Sequence, residues 1–95
     1  MNTTRQLRIS GRVQGVGFRD ALRRQALALG LAGWVRNRRD GTVEAVLQGD
    51  ACSVEEVIAW ARHGPPAARV DRVDAQPAQG ESDRPHAGFE MLPTA

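Results

Sequence analysis

Between residues 7 and 29 the spacing of apolar residues changes period, and the change falls across two glycines. Leu7, Ile9, Gly11 and Val13 alternate with Arg8, Ser10 and Arg12, the repeat of a half-buried strand. Phe18, Leu22, Ala26 and Leu29 then recur near every fourth position, the repeat of a helix with one buried face. Gln14-Gly15-Val16-Gly17-Phe18 lies between the two patterns. A strand and a helix joined so closely bury their apolar sides against each other, which demands a layered fold of helix on sheet. Leu27 falls off the helical stripe. Gly30 stands where a C′ residue ends a helix, with Leu31 folding back over it.

The rest of the chain extends this layering. Residues 33–38 and 42–48 read as two strands, and Arg39-Asp40-Gly41 between them is a hairpin signal. A second helix is expected to open at Ser53, whose hydroxyl caps it, with Glu56 completing a capping box. Its apolar face is Val54, Val57, Ile58 and Ala61, and His63-Gly64-Pro65-Pro66 ends it. Residues 69–75 read as a strand, although Val70 and Val73 break strict alternation. Residues 76–86 are polar and contain proline and glycine, hence a loop; Phe89 and Met91 mark a short closing strand. The expected fold is α+β, a ferredoxin-like βαββαβ sandwich with two helices on one face of a mainly antiparallel sheet and a short C-terminal strand. Many unrelated activities share that fold, so it selects none of them.

Ninety-five residues suit one domain, taken here as residues 1–95. Hydrophobic residues at 41% and charged residues at 25% match a globular chain rather than a disordered one. No apolar run is long enough to cross a bilayer, and residues 1–6 lack a signal-type stretch, so no membrane partner is expected. Cys52 is alone, which excludes an internal disulfide and suits a reducing cytoplasm. A monomer is the default expectation. The charge is asymmetric: residues 1–39 hold nine arginines and one acid, residues 40–95 four arginines and ten acids. There is no lysine. Clustered guanidinium groups attract anions and grip phosphate through paired N–H donors. The same arginines equally suit solvated surface positions, and only Arg19 carries a further argument.

That argument is its place at the end of Gly11-Arg12-Val13-Gln14-Gly15-Val16-Gly17-Phe18-Arg19. The first amides of a helix lack intrahelical partners and carry positive partial charge. Glycines let neighbouring N–H groups converge on one anion. Taken alone, the two glycines read first as a tight strand-to-helix turn. No Gly-Lys-Ser/Thr follows, so this is not a Walker loop, and Asp20 stands where a dinucleotide fingerprint has its third glycine.

This stretch, the run Gly33-Trp34-Val35-Arg36-Asn37 and then Asp40-Gly41-Thr42-Val43-Glu44 resemble the two signature motifs of acylphosphatases. The resemblance extends through Ala26, Leu29-Gly30-Leu31, Leu47-Gln48-Gly49 and Gly64-Pro65-Pro66-Ala67-Ala68-Arg69-Val70, nearly the whole chain. It implies an enzyme that hydrolyses the carboxyl-phosphate bond of acyl phosphates to a carboxylate and inorganic phosphate, by in-line attack of water. It implies no metal and no organic cofactor. Carried over residue by residue, Gln14, Gly15, Val16, Gly17 and Phe18 form the phosphate cradle, Arg19 binds the phosphate, and Asn37 positions the attacking water. Phosphate or sulfate is then expected to occupy the loop. Two positions depart from the family pattern: Leu22 stands where a hydroxyl residue is common, and Ala21 near where an aromatic is often found.

The implied chemistry suits the residues available. A carboxylate leaving group, whose conjugate acid has a pKa of about 4–5, departs without a general acid. Phosphoryl transfer rests mainly on positioning and on charge stabilisation at the equatorial oxygens. Without the resemblance, Asn37 reads as a residue before a hairpin turn. Trp34 and Trp60 are expected to pack, and Arg36, Arg38 and Arg39 to raise local positive potential. His63, His86 and Cys52 lack metal-ligand spacing. A competing reading is an RNA-binding sheet, but the chain has no tyrosine and no basic-aromatic strand, so no nucleic-acid partner is expected. A non-catalytic binding domain is the third reading, and the presence of both Arg19 and Asn37 argues against it.

Overall fold

A computed structural model describes residues 1–95, the side chain of Glu81 excepted. In chain order the elements are β1 (Asn2–Arg12), α1 (Phe18–Ala28), β2 (Ala32–Asn37), β3 (Val43–Asp50), α2 (Ala51–Ala61), β4 (Arg69–Pro77) and β5 (Phe89–Met91), with a 3-10 turn at Gly80–Asp83 before β5. The sheet order is β4-β1-β3-β2-β5. All pairs are antiparallel except β2 with β5. Both helices contribute their apolar stripes to one core with the sheet: Phe18, Leu22 and Ala26 from α1, and Val54, Val57, Ile58 and Ala61 from α2. This is the expected ferredoxin-like arrangement.

Strand alternation then decides what lies beside the core. Leu7 and Val35 both pair with Ala45, and Val35 with Met91, which makes one row across the helix-bearing face. In the next row Ile9 and Asn37 both pair with Val43. Asn37 therefore shares the parity of Val35, on the helix side, while Trp34 and Arg36 face away.

The ends of elements show where local reading succeeds and where it fails. α1 closes in a Schellman motif: Leu31 N donates to Ala26 O at 2.9 Å and Gly30 N to Leu27 O at 3.1 Å, with Gly30 at φ 71°. Leu27, off the stripe, is exposed. Ser53 does not cap α2. Asp50 does, its carboxylate accepting from Cys52 N and Ser53 N at 3.1 and 3.4 Å. The cap falls three residues early because β3 runs straight into the helix, and Asp50 ends one element while opening the next. Val70 and Val73 both meet the core because the β1–β4 register shifts between Ser10 and Gly11, leaving Asp71 as an extra residue. The expected loop at residues 76–86 is shorter than expected. Gln76 and Pro77 continue β4, an edge strand where proline costs no ladder bond on its open side. Trp60 packs against Phe18, ring centroids 5.5 Å apart. Trp34 does not join the core; it lies on the helix-free face under the Arg36 guanidinium, 4.8 Å from the ring centroid.

Candidate active site

The segment between β1 and α1 returns the chain at once, and it needs φ > 0 to do so. Gly15 has φ 73° and Gly17 φ 77°, while a Cβ added at either would meet nothing within 4 Å. The demand for glycine is thus conformational rather than steric. Gly17 is the N-cap of α1 and supplies no side-chain cap. Among the described residues, the backbone amides of residues 14–19 donate to no protein acceptor. A helix start with open donors is a natural seat for an anion.

A depression of about 110 Å³ opens here, lined by Gly15, Gly17, Arg19, Asp20, Asn37 and Met91 with the buried Val13 and Phe18. Alternation brings Asn37 and Met91 to it from adjacent strands, and the strand-to-helix turn brings Arg19. Arg19 is half-buried and, among the described residues, has no ion-pair or hydrogen-bond partner. Its neighbour Asp20 is engaged by Arg24 at 3.2 Å instead. Asn37 Oδ1 is buried without a hydrogen-bond partner. A buried acceptor left unmatched is costly, and a water or ligand entering the depression would match it.

The other expected cradle residues divide. Phe18 joins the glycines in lining the depression. Val16 packs against the core. The Gln14 side chain turns to the β2–β3 hairpin, donating to Arg38 O at 2.7 Å and Thr42 O at 2.9 Å. Leu22, in place of a hydroxyl residue, is fully buried in the core. Sequence reasoning missed Asp20 and Met91 as lining residues, and missed that the chain after β5 runs on beside β2. There Leu92 N donates to Val35 O at 2.9 Å and Ala95 N to Asn37 O at 3.0 Å. Nothing in the local pattern of residues 92–95 signals that pairing.

Arg36 and Arg38 belong to a different cluster on the helix-free face. Glu44, 3% exposed, accepts from Arg36 Nε at 2.8 Å, Arg38 at 3.0 Å and Gln6 Nε2 at 2.7 Å, with Arg8 at 3.7 Å. Burial pushes its carboxyl pKa up, but the hydrogen bonds from Arg36, Arg38 and Gln6 outweigh this and hold it below its ordinary value. A wider hollow of about 320 Å³ lies beside this cluster, between Gln6, Arg8, Glu44, Asp74 and Gln76. Its arginine and carboxylates are already paired, unlike Arg19.

Fold and site together define a class: a small α+β protein that sets an arginine, unpaired among the described residues, beside an open helix N-terminus. The profile of the acylphosphatase family matches residues 5–91. An acylphosphatase of Nitrobacter hamburgensis is 52% identical over 96 residues, covering 98% of this chain and 97% of that protein. An acylphosphatase structure from Coxiella burnetii superposes with TM-score 0.88 at 35% identity, covering 96% of this chain and 93% of the other. One from Bacillus subtilis gives 0.86 at 30% identity, with 97% and 99% covered. The chain belongs to the acylphosphatase family. It is a hydrolase of acid anhydrides, and its reaction is the hydrolysis of acyl phosphates. No helix among the described residues is long and apolar enough to cross a membrane.

Proposed function

We propose that Arg19 and the amides of residues 14–18 hold the phosphoryl group while Asn37 orients the water that attacks it in line, with no metal taking part. The observation that carries this is Arg19, half-buried and unpartnered, sharing one depression with Asn37, whose buried Oδ1 lacks a donor. The guanidinium and amides oppose the negative charge on the equatorial oxygens as the bond to the leaving carboxylate lengthens. Asn37 Oδ1 accepts one O–H of the water and so directs a lone pair at phosphorus. Asn37 is no base; its contribution is orientation. The carboxylate leaves unprotonated, so neither histidine is needed. His63 is exposed and His86 Nε2 lies 2.9 Å from Ser82 O, both away from the depression.

Inorganic phosphate or sulfate is the expected occupant of the cradle in the absence of substrate. Residues 1–95 act as one domain, a monomer in the cytoplasm, a reading supported by the single core cluster and the lone Cys52.

The test follows benzoyl phosphate hydrolysis in the presence of a chelator, with inorganic phosphate as a competitive probe. Removing one donor to developing charge costs about 10²–10³-fold in turnover, so Arg19→Ala loses that much and its phosphate affinity as well. Asn37→Ala loses about 10²-fold in turnover and keeps phosphate binding. Full turnover in a folded Asn37→Ala, or parallel loss of phosphate affinity in both variants, overturns this division of roles. Activity abolished by the chelator removes the metal-free reading.

A further inference from the structure

The cradle and Asn37 lie on different segments, and the hydrogen bonds between those segments pass through one side chain. Gln14 opens the loop, and its amide nitrogen has two N–H donors. Both are used on the hairpin, one on Arg38 O at 2.7 Å and one on Thr42 O at 2.9 Å. Each carbonyl already accepts a backbone bond of the turn: Gly41 N donates to Arg38 O at 3.1 Å, and Arg38 N to Thr42 O at 2.8 Å. Gln14 therefore takes the remaining acceptor capacity of the two carbonyls that close the hairpin. Arg38 directly follows Asn37. Among the described residues, no other hydrogen bond joins residues 14–19 to the hairpin.

We infer that Gln14 is a positioning residue for the hydrolysis, acting through Asn37: its side-chain amide sets the separation between the phosphate cradle and the water-holding asparagine. The inference rests on the proposed roles of Arg19 and Asn37. Hydrolysis needs the water oxygen within near-attack distance of phosphorus, whereas phosphate binding needs only the cradle. Loosening the link between the two segments lowers the first and spares the second. The fold tolerates that loosening, since β2 remains paired with β3 on one side and with β5 on the other.

The test uses the full chain with benzoyl phosphate as substrate and inorganic phosphate as inhibitor. Gln14→Met keeps the length of the side chain and removes both donors. A misplacement of about 1 Å costs on the order of 10²-fold, so kcat is expected to fall about 10–100-fold. The phosphate inhibition constant is expected to stay within about twofold, because the substitution changes only the side chain, which bonds the hairpin, and keeps the backbone amide that residue 14 gives to the cradle. In an Asn37→Ala background the same substitution is expected to cost less than about threefold, since residues acting as one unit are non-additive. Gln14→Glu supplies a second readout that is independent of packing. Only its protonated carboxyl donates, so its activity relative to the parent rises as pH falls through the carboxyl pKa. Parent-like kcat in Gln14→Met, equal losses of kcat and phosphate affinity, or undiminished loss on top of Asn37→Ala each overturns the inference. So does a pH-independent ratio for Gln14→Glu. Asn37→Ala with full turnover fails the site reading first, and the inference with it; the two failures are thereby distinct.

Discussion

Arg19 differs from most arginines in this chain by what it does not touch. Arg5 is held by Glu55, Arg8 and Arg36 and Arg38 by Glu44, Arg24 by Asp20, and Arg72 by Asp74. Arg23 donates through Nε to Phe89 O. A half-buried guanidinium left unpaired has given up hydration without compensation, and an anionic ligand restores it. Two glycines illustrate how differently one residue type is required. At Gly33, φ is 139° and a Cβ would sit 1.9 Å from the Val46 carbonyl oxygen; at Gly15, φ is 73° and the space is open. Gly33→Ala therefore forces backbone apart and is expected to cost about 3 kcal/mol, the upper end for overpacking. Gly15→Ala meets only the left-handed backbone penalty, about 1–2 kcal/mol. Urea unfolding of both variants checks the order, and a larger loss at Gly15 contradicts it.

At the level of elements, the strand-to-helix junctions carry most of what the site and the fold require. The β1–α1 junction leaves its helix amides open toward the depression, with Gly17 giving no side-chain cap. The β3–α2 junction is closed, because the Asp50 carboxylate takes the first amides of α2. One junction leaves its positive end open and the other supplies its own anion. Asp50→Ala is expected to lose about 1 kcal/mol of stability, with Ser53→Ala within about 0.5 kcal/mol of the parent. Denaturant midpoints of the two variants decide it; equal losses would restore Ser53 as a cap. Neither change lies near the depression, so benzoyl phosphate turnover is expected to be unaffected.

Over the whole molecule, the two faces of the sheet have opposite character. The helix side is apolar up to the rim where Asn37 and Met91 emerge, and the other side is a charged lattice centred on Glu44. That carboxylate draws Gln6 and Arg8 from β1 together with Arg36 from β2 and Arg38 beyond it, tying three adjacent strands. Its pKa is held below the ordinary 4.5. A depressed folded-state value means that the ionised carboxylate contributes stability above the unfolded pKa, and that this is lost as pH falls through the folded value. Glu44→Gln is expected to cost about 1–3 kcal/mol at pH 7, the range for hydrogen bonds to charged groups. The gap to the parent should narrow below pH 4.5. Unfolding free energies from neutral pH downward test this, and a gap that stays constant contradicts the role of the charge.

Apolar spacing determined the two helices and the succession of the main strands along the chain, and glycine and proline marked the stops at Gly30 and His63–Gly64. Those are local properties: the period of a helix or strand is written within a few residues of itself. The two motifs also marked Arg19 and Asn37, and the cradle glycines, before any contact was known. Tertiary structure decided the rest. Asn37 lines one depression with Arg19 only because it shares a sheet row with Val43 and Ile9 and the parity of Val35, a register set by pairing across the sheet. Which arginines stay unpaired depends on which carboxylates come within reach after folding, and charge alone did not separate the nine in the first 39 residues. The Gln14 link and the pairing of residues 92–95 with β2 join segments far apart in the chain. Local pattern carries no trace of such contacts, because the geometry that creates them exists only once the sheet has closed.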